Sequence, residues 1–269
     1  LLASAAAARR PNVILIFADD LGWKDVGWQG TDFHETPHLD ALARQGMIFT
    51  NGYSAAGNCA PSRACLLSGN YTPRHHVYAV QSTDRGPKVS QRLVPIPNKS
   101  GLARDNVTIA DALQAAGYAT GIFGKWHLDG PDGAKPAEQG FGTVHQSFHG
   151  WNEAKIKDPA NPKGVFSLPR GAIDFIETHR DRPFFIYLSH YAIHTGLEAR
   201  PETLARFQKK PPGRQHRRAA QPQLGDGRVG HGLGVVHGVV GGDGGRKRPI
   251  NCQSISGQWV SDRLFIRHS

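Results

Sequence analysis

The stretch Gly57-Asn58-Cys59-Ala60-Pro61-Ser62-Arg63 sets a cysteine where a helix begins, with proline in the first turn and an arginine four residues on. The unpaired N–H groups and positive dipole end of such a helix would face whatever sits at Cys59, and Arg63 would add a fixed cation. Surroundings of that kind lower a thiol's pKa and attract anions. Cys59 therefore reads either as a reactive thiol or as a small buried side chain. Cys65 lies further into the same helix beside Leu66 and Leu67, where the buried, inert reading is the better one.

Three further groups could join it. Asp19 and Asp20 are adjacent carboxylates, costly to hold together unless a cation neutralises them. They suit a hard cation such as calcium or magnesium; the alternative is that Asp20 caps a turn while Asp19 is solvated. Lys125 and His127 follow Gly124 at a spacing of two, which in extended chain puts both on one face and lets a cation and an imidazole meet one anion. His190 and His194 would share a face if the chain turned helical there. Zinc is the rival reading for that pair, but no third ligand is marked.

The elements that must position these groups alternate. Residues 12–18, NVILIFA, form an apolar run of the kind buried in parallel sheets, ending at Asp19. A helix follows over 36–46, with Thr36 as N-cap, Pro37 at the first position and Gly46 as the stop. MIFTNGYSA (47–55) reads as a second strand, and Pro61 to Leu67 as the cysteine helix. Residues 81–106 form a polar surface excursion. A helix over 108–117 runs from Thr108 to Gly117, and YATGIFGKWH is a strand entering a loop. Residues 128–163 read as a long loop, 170–180 as a helix and PFFIYLSHY (183–191) as a buried strand.

Helices alternating with buried strands predict an α/β fold, a mostly parallel sheet covered on both faces. Ligands then bind beyond the carboxyl ends of the strands. Asp19-Asp20, Lys125 to His127, and His190 to His194 should therefore converge on one site.

Composition limits the alternatives. Among 269 residues there are three cysteines, with no CxxC pair, which is too few for a disulfide framework. No stretch reaches the roughly 20 apolar residues of a spanning helix. The net charge of +10 suggests nucleic acid until it is located. From Lys209 onward there are eleven Lys and Arg against three Asp, a balance of +8, leaving only +2 for the preceding residues. The basic character belongs to the tail, so no nucleic-acid partner is expected for the main domain. Residues 1–10, LLASAAAARR, read as the remnant of a secretory signal, which makes the protein exported: periplasmic, extracellular, or lysosomal in a eukaryote. From 213 to 245 about a third of the residues are glycine, without helical period. The expected organisation is thus 1–10 signal remnant, 11–210 catalytic portion, and 211–269 a poorly ordered tail, in which Val235-Val236 could hold at most a short strand.

The stretch C-A-P-S-R-A-C-L-L-S-G, from Cys59 to Gly69, resembles the C-x-P-S-R signature of type I sulfatases. G-Y-A-T-G-I-F-G-K-W-H, from Gly117 to His127, is similar to that family's second signature. N-V-I-L-I-F-A-D-D-L-G-W, T-P-H-L-D-A-L-A and L-S-H-Y-A-I-H-T match in order, over roughly residues 11 to 210. The resemblance implies the alkaline-phosphatase-like fold and hydrolysis of aryl or carbohydrate sulfate monoesters. A formylglycine-generating, or sulfatase-maturating, enzyme would oxidise Cys59 to formylglycine. One hydroxyl of the hydrated aldehyde then attacks sulfur, and the second expels sulfate. By position, Asp19, Asp20 and modified Cys59 would be calcium ligands, with magnesium as the alternative metal. Arg63 would steady the diol, Lys125 and His194 would hold sulfate oxygens, and His127 would assist deprotonation.

The likeness stops short of the whole pattern. Family members continue to a strand ending in Asp-Asn-Gly that supplies the remaining calcium ligands, and to a later lysine that contacts sulfate. Here Asp243 stands in GGDGG, and the tail resembles a GC-rich coding region read out of frame after about residue 212. The expectation is a chain that folds poorly and turns over sulfate esters weakly. The competing readings are a phosphate or phosphonate monoester hydrolase of the same superfamily, and a non-catalytic basic binding fragment.

Overall fold

The computed structural model describes residues 10–146, 158–194, 196–211 and 213, together with the backbone of three short strands at 235–238, 249–250 and 264–265. The alanine-rich start, Asp243, Cys252 and most of the expected tail lie outside the described residues. So do 147–157, within the expected long loop.

Four parallel strands carry the architecture: β1 (Val13–Phe17), β2 (Ala119–Gly124), β3 (Thr143–His145) and β4 (Phe184–Ser189). A fifth, β5 (Val235–Gly238), pairs antiparallel with β1, giving the order β3-β2-β4-β1-β5. The short pair Val235-Val236 thus does hold a strand. Separately, β6 (Pro249–Ile250) pairs with β7 (Leu264–Phe265). The central register decides where the site is. Phe17 is opposite Ser189, and Ser189 is opposite Gly124, so β1, β4 and β2 all end at one level. The residues that follow share a single rim.

Strand alternation divides the core in two. Leu15, Phe17, Ile122, Phe185 and Tyr187 face helices α2 (Cys59–Ser68) and α4 (Ile109–Ala115), burying Ala64, Leu67 and Ala110. Phe123, Ile186 and Leu188 face α5 (Ser167–Thr178) through Leu168, Phe175 and Ile176. Every side chain of β2 and β4 is buried, as a sheet covered on both faces requires. The other described helices are α1 (Pro37–Gln45), α3 (Thr72–His75) and α6 (Pro201–Gln208).

The punctuation of α4 is as expected. Thr108 accepts from the Asp111 N–H while Asp111 accepts from the Thr108 N–H, and Gly117 takes a left-handed φ of 81°. At α1, Thr36 occupies the N-cap without capping by its side chain. Its Oγ1 instead accepts from Gly27 N–H and donates to Asp40. The cysteine helix is longer than predicted, starting two residues earlier at Cys59.

The strand expected over 47–55 is absent, and the segment runs as turns and coil. Met47, Phe49 and Tyr53 are 77%, 68% and 87% exposed. Only three apolar residues precede Thr50-Asn51-Gly52, a turn-forming run, and β1 is already flanked by β4 and β5. Conversely, β3 lies inside the expected loop 128–163.

One local strain yields a test. His76 ends α3 with φ 61°, a conformation that disfavours a Cβ by about 1–2 kcal/mol, and its side chain is exposed. Part of the relief is offset by glycine's greater freedom when unfolded. His76→Gly is expected to stabilise the chain by about 0.5–1 kcal/mol, seen as a higher urea midpoint.

Candidate active site

Helix α2 is buried on nearly every side, from Cys59 through Leu67 with Leu66 the exception. Helices apolar on one stripe lie at surfaces; one buried all round is an internal strut. Its N-terminus therefore stands at the sheet rim, with Asn58 as N-cap and Asn58 O accepting from Ser62 N–H at 3.0 Å. Ser62 Oγ lies 2.8 Å from Ser54 Oγ, a structural contact.

Arg63 has 0% exposure, and the structure surrounds it with acceptors. Its Nη1 donates to Lys125 O at 2.9 Å, to Tyr187 Oη at 3.0 Å, and to Ser189 Oγ. Nη2 lies 3.4 Å from Asp19 Oδ2, and the guanidinium carbon sits 4.6 Å from the centroid of the Phe17 ring. Such a group stays buried only when paired. Asp19, also fully buried, is that pair, and its Oδ2 accepts from Lys125 Nζ as well. Burial alone would raise the Asp19 carboxyl, but Arg63 and then Lys125 outweigh it and hold it below the ordinary carboxylate range. The reading of Asp19 as a solvated acid is therefore corrected.

Lys125 begins the loop after β2. Its N–H donates to Ser189 O at 2.8 Å, and Ser189 Oγ donates to Lys125 O at 2.8 Å. Trp126 turns into the core, with Nε1 donating to Ala134 O at 2.9 Å. His127 is left-handed, with φ 63°, and not in the extended chain on which the spacing of two relied, yet it lies in the field of Lys125, Arg63 and Asp19. Burial, then the cations Lys125 and Arg63, push its pKa down to about 3, so the imidazole is neutral near pH 7. His194 Nε2 lies 3.9 Å from Asp20 Oδ2. His190 and His194 do not share a helix: the chain past β4 is non-helical, and His190 is fully buried.

Cys59 faces the same groups, but its pKa does not move as the sequence suggested. The residue is 8% exposed, and burial raises the thiol; Lys125 and Arg63 lower it and Asp19 raises it, with the net upward. Desolvation of the thiolate outweighs the helix end and the two cations, so as a plain thiol Cys59 is a weak nucleophile at neutral pH. Cys65 is buried, with its Sγ 3.4 Å from His75 Nε2. Because His75 Nδ1 accepts from the Val77 N–H at 3.1 Å, the neutral ring carries its proton on Nε2 and donates to sulfur. That is a packing role.

The structure thus gathers Asp19, Asp20, Cys59, Arg63, Lys125, His127 and His194 at one rim, as the strand-end rule predicted. No three His, Cys, Asp or Glu side chains among the described residues are grouped closely enough to hold a metal ion, so Asp19, Asp20 and Cys59 do not form a complete centre by themselves. Sequence reasoning missed Tyr187 and Ser189, which fix Arg63 and Lys125. The available signal was two hydroxyls in the otherwise apolar strand FFIYLS.

A family model of sulfatases matches residues 11–253. The chain belongs to the sulfatase family. Arylsulfatase A of Homo sapiens is 47% identical over 150 residues, covering 55% of this chain and 26% of its own length. N-acetylgalactosamine-6-sulfatase of Mus musculus is 34% identical over 227 residues, covering 74% of this chain and 42% of its own length. The crystal structure of Ps i-CgsB matches with a TM-score of 0.59 at 30% identity, over 76% of this chain and 50% of that one. Phosphonate monoester hydrolase of Agrobacterium radiobacter, with a TM-score of 0.54 at 21% identity, shares the fold. This sulfatase-family chain spans from about a quarter to under half the length of these curated relatives. Among its described residues no helix is long and apolar enough to cross a membrane.

His190 gives a pH test. Burial pushes its pKa down to about 3, against about 6.5 in an unfolded chain. Between those values the unfolded state binds the extra proton, so stability falls as pH drops from about 6.5 toward 3, by at most about 1.4 kcal/mol per pH unit for this group. His190→Gln is expected to flatten that slope in urea titrations at pH 4 to 7; an unchanged slope would assign it elsewhere.

Proposed function

We propose that this sulfatase-family chain carries the nucleophile and anion-binding part of a site that hydrolyses sulfate monoesters, of aryl or carbohydrate alcohols. The observation that supports this reading most is the meeting of Cys59, Arg63, Lys125, His127 and His194 around two carboxylates at one strand-end rim. A sulfuryl group is anionic. Stabilising charge that develops on it takes fixed cations in a site shielded from water.

Position 59, once converted to formylglycine by a maturating enzyme, would supply the attacking hydroxyl that the poorly ionised thiol cannot. Arg63, locked by Tyr187 and Ser189, holds its charge beside that position without reorganising. Lys125 swings between the Asp19 carboxylate and a substrate oxygen, while His194 lies across from it near Asp20. His127, neutral at physiological pH, has the capacity to take a proton from the nucleophile. Asp19 Oδ1 is buried and has no hydrogen-bond partner among the described residues, the condition of an oxygen that fits a hard cation. Asp19, Asp20 and position 59 would hold one side of a calcium ion, which would polarise the sulfate ester as a Lewis acid. Because Asp19 and Asp20 supply only part of such a shell, the chain's turnover is expected to be slow.

The test is co-expression with a formylglycine-generating enzyme. Mass spectrometry of the Cys59 peptide should show aldehyde in place of thiol. 4-Nitrophenyl sulfate should be cleaved slowly, faster than the corresponding phosphate, and not at all by Cys59→Ala. An unconverted thiol, or preference for the phosphate ester, would remove this reading.

A further inference from the structure

Within the excursion over 81–106, residues 84–99 form a loop that is held together by its own bonds yet keeps aliphatic side chains in water. Its base is closed by Asn98, whose Oδ1 accepts from the N–H groups of Tyr78 and Ala79 and whose Nδ2 donates to Ala79 O and Gln81 O. Arg85 donates to Ser82 O and to Val80 O, each at 3.0 Å, and Thr83 Oγ1 donates to Ile96 O. Nearer the tip, Asp84 accepts from Lys88 Nζ and from Gln91 Nε2. Val89, Leu93 and Val94 are nonetheless 94%, 85% and 93% exposed. Single exposed aliphatics are ordinary. Three within six residues, on a loop whose internal bonds hold it in this shape, form a patch that marks a surface of contact.

Charge narrows the occupant. Residues 84–99 carry Arg85, Lys88, Arg92 and Lys99 against Asp84 alone, a balance of +3. Arg92 lies exposed between Val89 and Leu93 in sequence, with no hydrogen bond or ion pair among the described residues. A second copy would bring the same cations to a self-complementary contact, and the chain's own tail, at +8, is repelled as well. The occupant that fits is anionic. No aromatic residue stands between Tyr78 and Tyr118, so the loop offers a sugar no ring face. It also lacks the Trp and Tyr anchors of protein interfaces, where Leu and Val are under-represented among the residues that carry affinity. Aliphatic side chains beside a free guanidinium suit the boundary between lipid headgroups and acyl chains. Pro87, Pro95 and Pro97 suit it too, because they bring no N–H to be desolvated there.

We propose that the 84–99 loop docks this chain on an anionic phospholipid surface, with Val89, Leu93 and Val94 entering the acyl boundary and Arg92 meeting the headgroups. The assignment does not rest on the sulfate-ester reading, and neither falls with the other.

The measurement is flotation of the full chain with phosphatidylcholine vesicles containing about a third phosphatidylserine, against vesicles of phosphatidylcholine alone. The chain is expected to bind the anionic vesicles about tenfold better, and added salt should erase most of that difference. Leu93→Ser/Val94→Ser should lower partitioning at least about tenfold, and Arg92→Gln about fivefold on the anionic vesicles only. These side chains face solvent, so urea midpoints should match wild type; if the double variant's does not, Val89→Ser decides by the same flotation. Binding by the double variant equal to wild type would mean that the basic tail alone holds the vesicles, and would overturn the proposal. So would equal wild-type binding to both kinds of vesicle, or none. Self-association that the double variant loses, without flotation of wild type, would assign the patch to a second copy instead.

Discussion

Replacing Asp19 by alanine is expected to cost about 3–5 kcal/mol of stability, the range for breaking a buried pair and stranding its partner charge. Arg63 is wholly buried and Lys125 nearly so, and both direct their charge at Asp19 Oδ2. Removing the carboxylate leaves two buried cations facing each other near Cys59. Asp19→Asn should cost less than Asp19→Ala but still destabilise: its amide oxygen is able to take the place of Oδ2 as acceptor, yet the negative charge that offsets Arg63 and Lys125 is lost. The double variant Asp19→Ala/Lys125→Met should recover part of the loss. The pH dependence has a definite sign. The Asp19 pKa is depressed in the folded chain, so its contribution is present above the unfolded carboxyl value of about 3.9 and lost as pH falls through the folded one. The gap between wild type and Asp19→Ala in urea midpoint should be constant at neutral pH and narrow only below about pH 4. Equal midpoints at pH 7 would mean that the cations have other counter-charges.

What could be read from residue order was the frame of the site. The apolar runs ending at Phe17, Gly124 and Ser189 are each long enough to be buried strands. Parallel pairing then brings their carboxyl ends to one level, so Asp19, Lys125 and His194 had to approach one another. Helix α4 was legible because Thr108 and Gly117 each have a local conformational preference that needs no tertiary partner. Residues 47–55 misled because the strand propensity of Met47, Ile48 and Phe49 spans only three residues before the turn-forming Thr50-Asn51-Gly52, and both neighbours of β1 are already taken by β4 and β5. Cys59 misled differently: helix end and cation were visible in the sequence, but the burial that outweighs them depends on the whole of α2 being enclosed. Tyr187 and Ser189 act through contacts more than twenty residues away in sequence, and no local spacing encodes those.

The joint between sheet and site is narrow enough that one added methyl group should spoil both, and Gly124→Ala is the variant that adds it. Gly124 has φ 112°, and a Cβ there would stand 1.9 Å from Ser189 O and 3.3 Å from Leu168 Cδ1. The obstacle is backbone, so no rotamer relieves it. Either β2 parts from β4 at its last residue, or the chain leaves the conformation that aims Lys125. The first breaks the 2.8 Å bond from Lys125 N–H to Ser189 O and, with it, the Ser189 hydroxyl contacts to Lys125 and Arg63. Strain at positive φ and overpacking together predict a loss above about 3 kcal/mol. Sulfate affinity should fall even under conditions where the variant remains folded. Gly121→Ala, three residues earlier in β2, is the control. Its Cβ would meet the Phe123 ring at 2.9 Å and the Phe175 ring at 3.2 Å, core side chains and not the backbone of β4, so it should cost stability through overpacking while leaving the Lys125–Ser189 joint and sulfate binding near wild type. If the two alanine variants behave alike, the close approach at Gly124 does not hold the site together, and Lys125 must be aimed by something other than its bond to β4.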